Sequence, residues 1–470
     1  MIWASRHTKK ALIFTFIILF IHFALFPTYV LPWELLLFGI GVIVLFFMGL
    51  SHYTKRWQDI PAKSFIKSLL ITSFFIKIVF FICTMLLINI VDPKSYPFEI
   101  GGGQDSVYYH KAGSDIADNL FQTDLQRNLK RWYKEKADYG YPTYVGFIYY
   151  LFGKETLIVR LVSILFSSFT VLMIYLLARN IYNEAIGRFA GIIAMVIPVM
   201  LWFDTMGVKE SLMTFIIVLC LYIESEIIQS RKIHIFKILL LLTSIFILFY
   251  FRLFLVGLLS LVTAIFFLLN LSNRKISRAT VLVAFLVIVI ALYSIFIETN
   301  AFDEFKVLMV KSQTQMEDDL IASSVSRGVS FQKSLVIPFI FLGAIITPFP
   351  SLFYFNPDQL TMVSHFFNEL VRNCLYFFAF LGIWISYKKY FKKSSLIILY
   401  TFGYILVLAV ANKSFQDRFQ FPAFPGMLIL ISLGFVEGKK YFKYWTLYLF
   451  VIGAAIIAWN LFKLSIRGLL

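Results

Sequence analysis

Apolar residues run through this chain in blocks of about twenty, separated by short polar stretches. Blocks such as Ala11–Val30 and Trp33–Leu50 are long enough, as helices, to cross a hydrocarbon core of about 30 Å. The pattern predicts thirteen spans, over 11–30, 32–50, 68–91, 157–177, 188–203, 211–225, 238–250, 253–271, 280–297, 370–387, 395–411, 421–436 and 445–462. Two further runs, 142–152 and 335–355, are short or broken by Pro and Gly. They are expected as re-entrant or interfacial segments, a form tolerated where backbone lines a protein cavity. The first apolar run lacks a small-residue cleavage site and is soon followed by another, so no cleavable signal peptide is expected. The fold class is therefore an all-α polytopic membrane protein.

Composition agrees. Of 470 residues, 60% are hydrophobic and only 15% charged, against about 25% charged in a soluble domain. The net charge of +17 does not imply a nucleic-acid partner, because the basic residues are not spread evenly. If the thirteen spans alternate, the N-terminus, Lys55–Lys67, Arg179–Arg188, Arg231–Lys237, Arg274–Arg278, Lys388–Lys393 and Lys439–Lys443 share one side. These segments hold 22 Lys/Arg and only two acids, Asp59 and Glu184. That bias marks the cytoplasmic side, so the N-terminus is expected inside a cell membrane. An anionic lipid substrate is a second source of basic charge that composition does not separate from the first. The cysteines Cys83, Cys220 and Cys374 all lie in apolar runs and read as small buried side chains. No phosphate-binding glycine loop ending in Lys-Ser/Thr occurs, which argues against an ATP-driven pump.

The opposite face receives 92–141, Asp204–Glu210, 298–333 and Ala411–Gln420. The first of these carries eight acids and seven Lys/Arg, and a polar segment of that length between spans is usually functional. Within it, Gly101-Gly102-Gly103 leads into Gln104-Asp105-Ser106-Val107-Tyr108-Tyr109. The glycines permit close backbone approach to a ligand. A helix over 105–121 is expected, with Ile116, Leu120 and Phe121 toward the membrane and Asp115 and Asp118 away. Asp105 is either the N-cap of that helix or an acid able to take a proton from a hydroxyl nucleophile. Asp204, Lys209 and Glu210 occupy a tight turn between spans. They form an interfacial anchor, or Glu210 shares a cavity with Asp105 and binds a metal or the acceptor. Arg418 precedes Phe421-Pro422-Ala423-Phe424-Pro425. A guanidinium there suits bidentate phosphate binding; the alternative is a snorkelling side chain paired with Asp417. Lys77, Arg160 and Arg252 are cations within or at the ends of apolar runs, where charge is costly and so a functional candidate. Arg160 and Arg252 lie near span ends and could snorkel, whereas Lys77 is deep enough to face the bundle interior. Tyr141 opens the short run at 142–152. His110 has no paired ligand nearby, which argues against a metal there.

Together these residues resemble the membrane glycosyltransferases of the GT-C fold, and within them the bacterial family 39 group of protein O-mannosyltransferases and the aminoarabinose transferase of lipid A. Asp105-Ser106-Val107-Tyr108-Tyr109 is similar to the family's acid-plus-tyrosine motif. Tyr141-Pro142, Phe152-Gly153, Arg160-Leu161-Val162-Ser163 and Leu176 to Tyr182 resemble its long middle block, which continues to Val208-Lys209-Glu210-Ser211-Leu212. Arg418 to Pro425 resembles its Arg-aromatic-x-x-Pro-x-x-Pro motif. The likeness covers about 100–225 and 411–430; 226–410 agrees only in hydropathy. It implies a GT-C-like bundle of about 13 spans with an external loop between helices 3 and 4 carrying short helices. The catalytic region would span 68–436, with extra helices in 1–67 and a last helix in 437–470. It also implies transfer of a sugar, outside the cytoplasm, from a polyprenyl-phosphate donor to a glycan, lipid or protein acceptor. Asp105 would be the general base. Arg418 and Arg160 would hold the donor phosphate. Tyr108, Tyr109, Tyr141, Lys209, Glu210, Asp204, Lys77 and Arg252 would line the substrate cavity. Two extra helices precede the motif loop, where many relatives have one helix before it, and Ser106 stands where a second acid often follows. No Glu-Lys pair precedes Pro142, so the divalent metal of some relatives is not assigned to residues here. A repeat-unit polymerase or ligase acting on lipid-linked oligosaccharide, and a lipid flippase or transporter, are the alternative readings.

Overall fold

The structure, a computed structural model, describes residues 2–100, 104–120, 129–130, 132, 138–229, 235–270, 349–354, 360–410 and 417–466. The expected span at 280–297, the segment 298–333 and most of the run at 335–355 lie outside the described residues, as do the three glycines 101–103. Among the described residues the fold is helical throughout. The longer helices are α1 (Ser5–Leu25), α2 (Trp33–Arg56), α3 (Ala62–Val91), α4 (Gln104–Asp118), α5 (Gly140–Phe152), α6 (Thr156–Ile181), α7 (Glu184–Val196), α8 (Pro198–Thr205), α9 (Lys209–Gln229), α10 (Ile235–Phe249), α11 (Leu253–Asn270), α12 (Phe366–Lys389), α13 (Phe391–Val410), α14 (Phe424–Glu437) and α15 (Trp445–Ile466).

Among the described residues, ten helical segments are long and apolar enough to cross a membrane. Their starts follow local rules. Pro32 and Pro61 precede α2 and α3, and α2 carries Glu34 in its first turn and Lys55 and Arg56 in its last, signs that complement the helix dipole. Asn183 caps α7, its Oδ1 accepting the Ile186 amide at 3.0 Å. The expected span at 188–203 is a broken one. Pro198 has no amide hydrogen to continue the ladder, and α7 and α8 meet at 53°. The expected span at 238–250 is the 15-residue α10, shorter than the rest. The short run at 142–152 is α5, a 13-residue helix.

Burial sorts the helices. The segment Asp417–Glu437, which ends in α14, has 89% of its apolar window inside the protein, and α9 and α12 have 72%, whereas α3 has 33% and α1 and α2 have 39%. α14 packs along α12, α7 and α13. A Cβ on Gly382 would strike the Leu430 carbonyl, and one on Gly434 the Phe378 carbonyl, so two glycines set the close approach of α12 and α14. α1 lies against α2 and α15; Trp3 stacks on Phe435 at 5.0 Å and meets Trp445 at 5.8 Å.

Hydrogen bonds define two ends of the bundle. At one, Arg188 donates to the carbonyls of Trp57 and Gln58, Tyr182 reaches Ser386 and Ser394, Lys237 pairs with Glu226, and Lys10 donates to Thr446. These are the segments rich in Lys and Arg. At the other, α4 packs on α5, and the Gly140 amide donates to the Tyr250 carbonyl at 2.8 Å. The α4–α5 contact corrects one expectation. Ile116 faces protein rather than lipid: it is fully buried, and a Cβ on Gly146 would run into it at 2.8 Å from its own Cβ. Gly113 is the reciprocal site, facing Val145 Cβ at 2.9 Å and the Gly146 amide nitrogen at 3.3 Å. Gly113→Ala is therefore expected to cost about 1–3 kcal/mol, because neither backbone nor a branched Val can step aside cheaply. Gly41→Ala on α2 meets nothing within 4 Å and serves as the control. Thermal unfolding should separate the two, with a lower midpoint for Gly113→Ala only.

Candidate active site

The end of the bundle away from the basic segments holds a cluster of carboxylates around one guanidinium. Arg418 lies in the short helix Asp417–Gln420 that leads into α14. Its Nη2 lies 2.9 Å from Asp105 Oδ2 and 3.2 Å from Glu210 Oε2, and its Nε lies 3.1 Å from Glu210 Oε1. Glu99 stands further off, 4.0 Å from Nη1. Arg252 Nη2 is 3.7 Å from Glu210 Oε1, and its guanidinium sits 5.0 Å from the Phe419 ring centroid. Asp105, Glu210, Arg252 and Arg418 thus converge from α4, α9, the α10–α11 turn and the lead-in to α14.

The members differ in access. Glu210 is wholly buried, fixed by two arginines, whereas the Asp105 side chain is 52% exposed. Asp105 lies inside the first turn of α4, and its carboxylate reaches Arg418 rather than capping its own helix. Arg418 does not pair with Asp417, because Asp417 pairs with Arg372 at 2.8 Å. With two guanidinium groups beside it, Glu210 is a poor metal ligand and a good clamp for Arg418.

The other expected residues fall around this cluster or away from it. Tyr109 meets Tyr141 edge-on at 4.7 Å, and both are buried. Tyr108 is 55% exposed. Lys209 points away from Glu210 to Asp138, at 2.5 Å. Arg160 is buried, bonded to the Pro97 carbonyl and to the Met85 sulfur at 2.7 Å, and its guanidinium lies 5.8 Å from the Phe81 ring. Its aliphatic stem packs on Gly207, whose φ of +69° favours glycine in the α8–α9 turn. A narrow crevice beside Arg160 is lined by Phe98, Ser106, Tyr109, His110 and Tyr149. His110 Nδ1 contacts the Tyr149 hydroxyl at 2.8 Å.

Lys77 and Asp204 are not in this cavity. They form a sealed pair at 2.6 Å, 0% and 2% exposed. Ser167 bonds to both, and Ser211 Oγ donates to Asp204 Oδ1 at 2.9 Å. Every charge is met by a partner, so the group ties α3, α6, α8 and α9 together.

Glu99 escaped the sequence reading because it belongs to no motif. Burial pushes its carboxyl up to about 7, with Arg418 opposing. A folded-state value above the ordinary 4.5 means that this group favours the folded chain most below that pH. The contribution is lost as pH rises through about 7.

Residues 141–297 match the model of the dolichyl-phosphate-mannose-protein mannosyltransferase family. No curated protein and no solved structure matches the chain. The matched segment contains Tyr141, Arg160, Asp204, Lys209, Glu210 and Arg252 and ends well before Arg418. With the all-helical bundle, it supports a membrane glycosyltransferase of the GT-C type that resembles family 39.

Proposed function

We propose that the protein transfers a sugar from a polyprenyl-phosphate donor to a hydroxyl acceptor, on the extracytoplasmic side of a cell membrane, with inversion at the anomeric carbon. The observation that carries this reading is the 2.9 Å contact between Asp105 and Arg418. In this reading the base and the phosphate binder stand one hydrogen bond apart. The donor phosphate takes the Nη edge of Arg418 that Asp105 now occupies, and the freed carboxylate turns to the acceptor hydroxyl. As the acceptor oxygen bonds to the anomeric carbon, the bond from that carbon to the phosphate oxygen breaks. Asp105 accepts the hydroxyl proton, and polyprenyl phosphate leaves. Glu210 and Arg252 keep the guanidinium plane fixed through the exchange. Phosphate leaves without protonation, so a single base suffices, and one displacement inverts the centre.

Incubation of purified protein with a panel of polyprenyl-phosphate sugars and hydroxyl acceptors tests this directly. Transfer with inverted configuration is expected. A strict requirement for diphosphate-linked oligosaccharide would move the reading to a polymerase or ligase, and no transfer with any donor would sink it.

Glu99 adds a pH dependence. A lipid-phosphate sugar is a phosphodiester and keeps its single charge near neutrality. Below about pH 7 Glu99 is neutral and Arg418 faces two carboxylates; above it Arg418 faces three. Donor affinity is expected to fall as pH rises through about 7. Glu99→Gln should hold the low-pH affinity across the range, and an unchanged pH profile in that variant would clear Glu99 of the role.

A further inference from the structure

Next to Arg418 in sequence, Asp417 belongs to a second group of donor side chains, with His365 and Glu369. His365 immediately precedes α12, and Glu369 follows four residues later in its first turn, so both face the same side. Asp417 comes from the short helix before α14. The nearest donor atoms of the three side chains all lie within 4.8 Å of one another. Glu369 is 7% exposed and Asp417 4%. Glu369 Oε2 has no hydrogen-bond partner among the described residues, and neither carboxylate oxygen of Asp417 has a partner beyond its ion pair with Arg372. Two carboxylates in water-poor surroundings, one with an open oxygen, are costly unless a cation joins them.

We propose that His365, Glu369 and Asp417 bind a divalent first-row cation such as Zn²⁺ or Mn²⁺. One imidazole nitrogen and two carboxylate oxygens form a mixed donor set suited to these ions. Ligand bonds of about 2.1 Å put tetrahedral donors roughly 3.4 Å apart, so closure needs movements of about an ångström in side chains alone. Arg372 fits the arrangement. Its Nη1 holds Asp417 Oδ1 at 2.8 Å and Gln420 Oε1 at 3.0 Å, leaving the second Asp417 oxygen for the metal while orienting the carboxylate from behind. The ion links the start of α12 to the turn that carries Arg418, so it is a positioning element for that arginine. The site stands whether or not the proposed glycosyl transfer is correct, because its test reads metal and not sugar.

Full-length protein is purified, stripped with chelator and dialysed against micromolar Zn²⁺ or Mn²⁺, and bound metal is counted by mass spectrometry. About one ion per chain is expected in the wild type and in Asp105→Asn. Glu369→Gln, which keeps the shape, and His365→Ala should each lower occupancy at least tenfold. The melting temperature of the wild type should rise with added metal, and that rise should vanish in both variants. No bound ion in the wild type overturns the proposal even if a variant fails to fold. Equal occupancy in wild type and in folded Glu369→Gln also overturns it.

Discussion

Asp105→Asn is expected to fold normally and to lose at least about 10²-fold in turnover with a hydroxyl acceptor. The amide keeps the size of the carboxylate and can still offer an oxygen to Arg418, so packing at the mouth of α4 is preserved. It cannot take a proton. The loss should fall on kcat more than on the donor KM, because half of this side chain is open to solvent and it contributes little to the buried frame. An already ionised acceptor, such as a phosphate, needs no base, so the same variant should lose far less with it. That contrast separates base catalysis from a purely electrostatic role. Near wild-type turnover with a hydroxyl acceptor would remove Asp105 from the chemistry and leave Glu99 as the nearest acid with access.

Arg418→Lys is expected to weaken donor binding by roughly 10–100-fold. That corresponds to the about 1.5–3 kcal/mol net worth of a hydrogen bond to a charged group. Lysine keeps the positive charge that Glu210 requires, so the frame survives. It loses the planar fork that spans Glu210 on one edge and Asp105 on the other. Arg418→Ala is the poorer test. It would leave Glu210, which is fully buried, with Arg252 at 3.7 Å as its remaining ion-pair partner among the described residues, at a cost of about 3–5 kcal/mol in stability. Unchanged donor affinity in a folded Arg418→Lys protein would take the arginine out of the binding site.

Much of the architecture was legible because hydropathy reports crossing segments directly. Membrane-length blocks such as those of α2, α3 and α6 became helices, though α2 runs six residues past its expected end and α3 begins six residues early. The break at Pro198 was also written in the sequence, but a continuous apolar run over 188–203 hid it. Facing was less legible. Ile116 reads as lipid-directed on a helix drawn alone, and only the Gly113–Gly146 contact reveals that α5 covers it. The same limit applies to the charges. Asp105, Glu210 and Arg418 could be named from their surroundings in sequence, and they meet. Lys77 and Asp204 were named on the same grounds, and they meet each other instead, 127 positions apart. A lone charge in an apolar run announces that it needs a partner, but not which one. Glu99, Glu369 and Arg372 gave less notice still, since their roles exist only once distant turns are stacked.

The placement of α14 bears on how the chain is made. The helix enclosed on nearly all sides follows α7, α9 and α12 along the chain, and Arg418 precedes it by six residues. During synthesis, α7, α9 and α12 are in the bilayer before the helix that fills the space among them. They cannot close on one another in the meantime without blocking it. The intermediate must hold an open slot, with Glu210 awaiting its arginine and Gly382 its counterpart at Gly434. Biogenesis therefore runs through a half-built bundle that exposes polar groups to lipid or to the insertion machinery, and the cluster around Arg418 is complete only once α14 has taken its place.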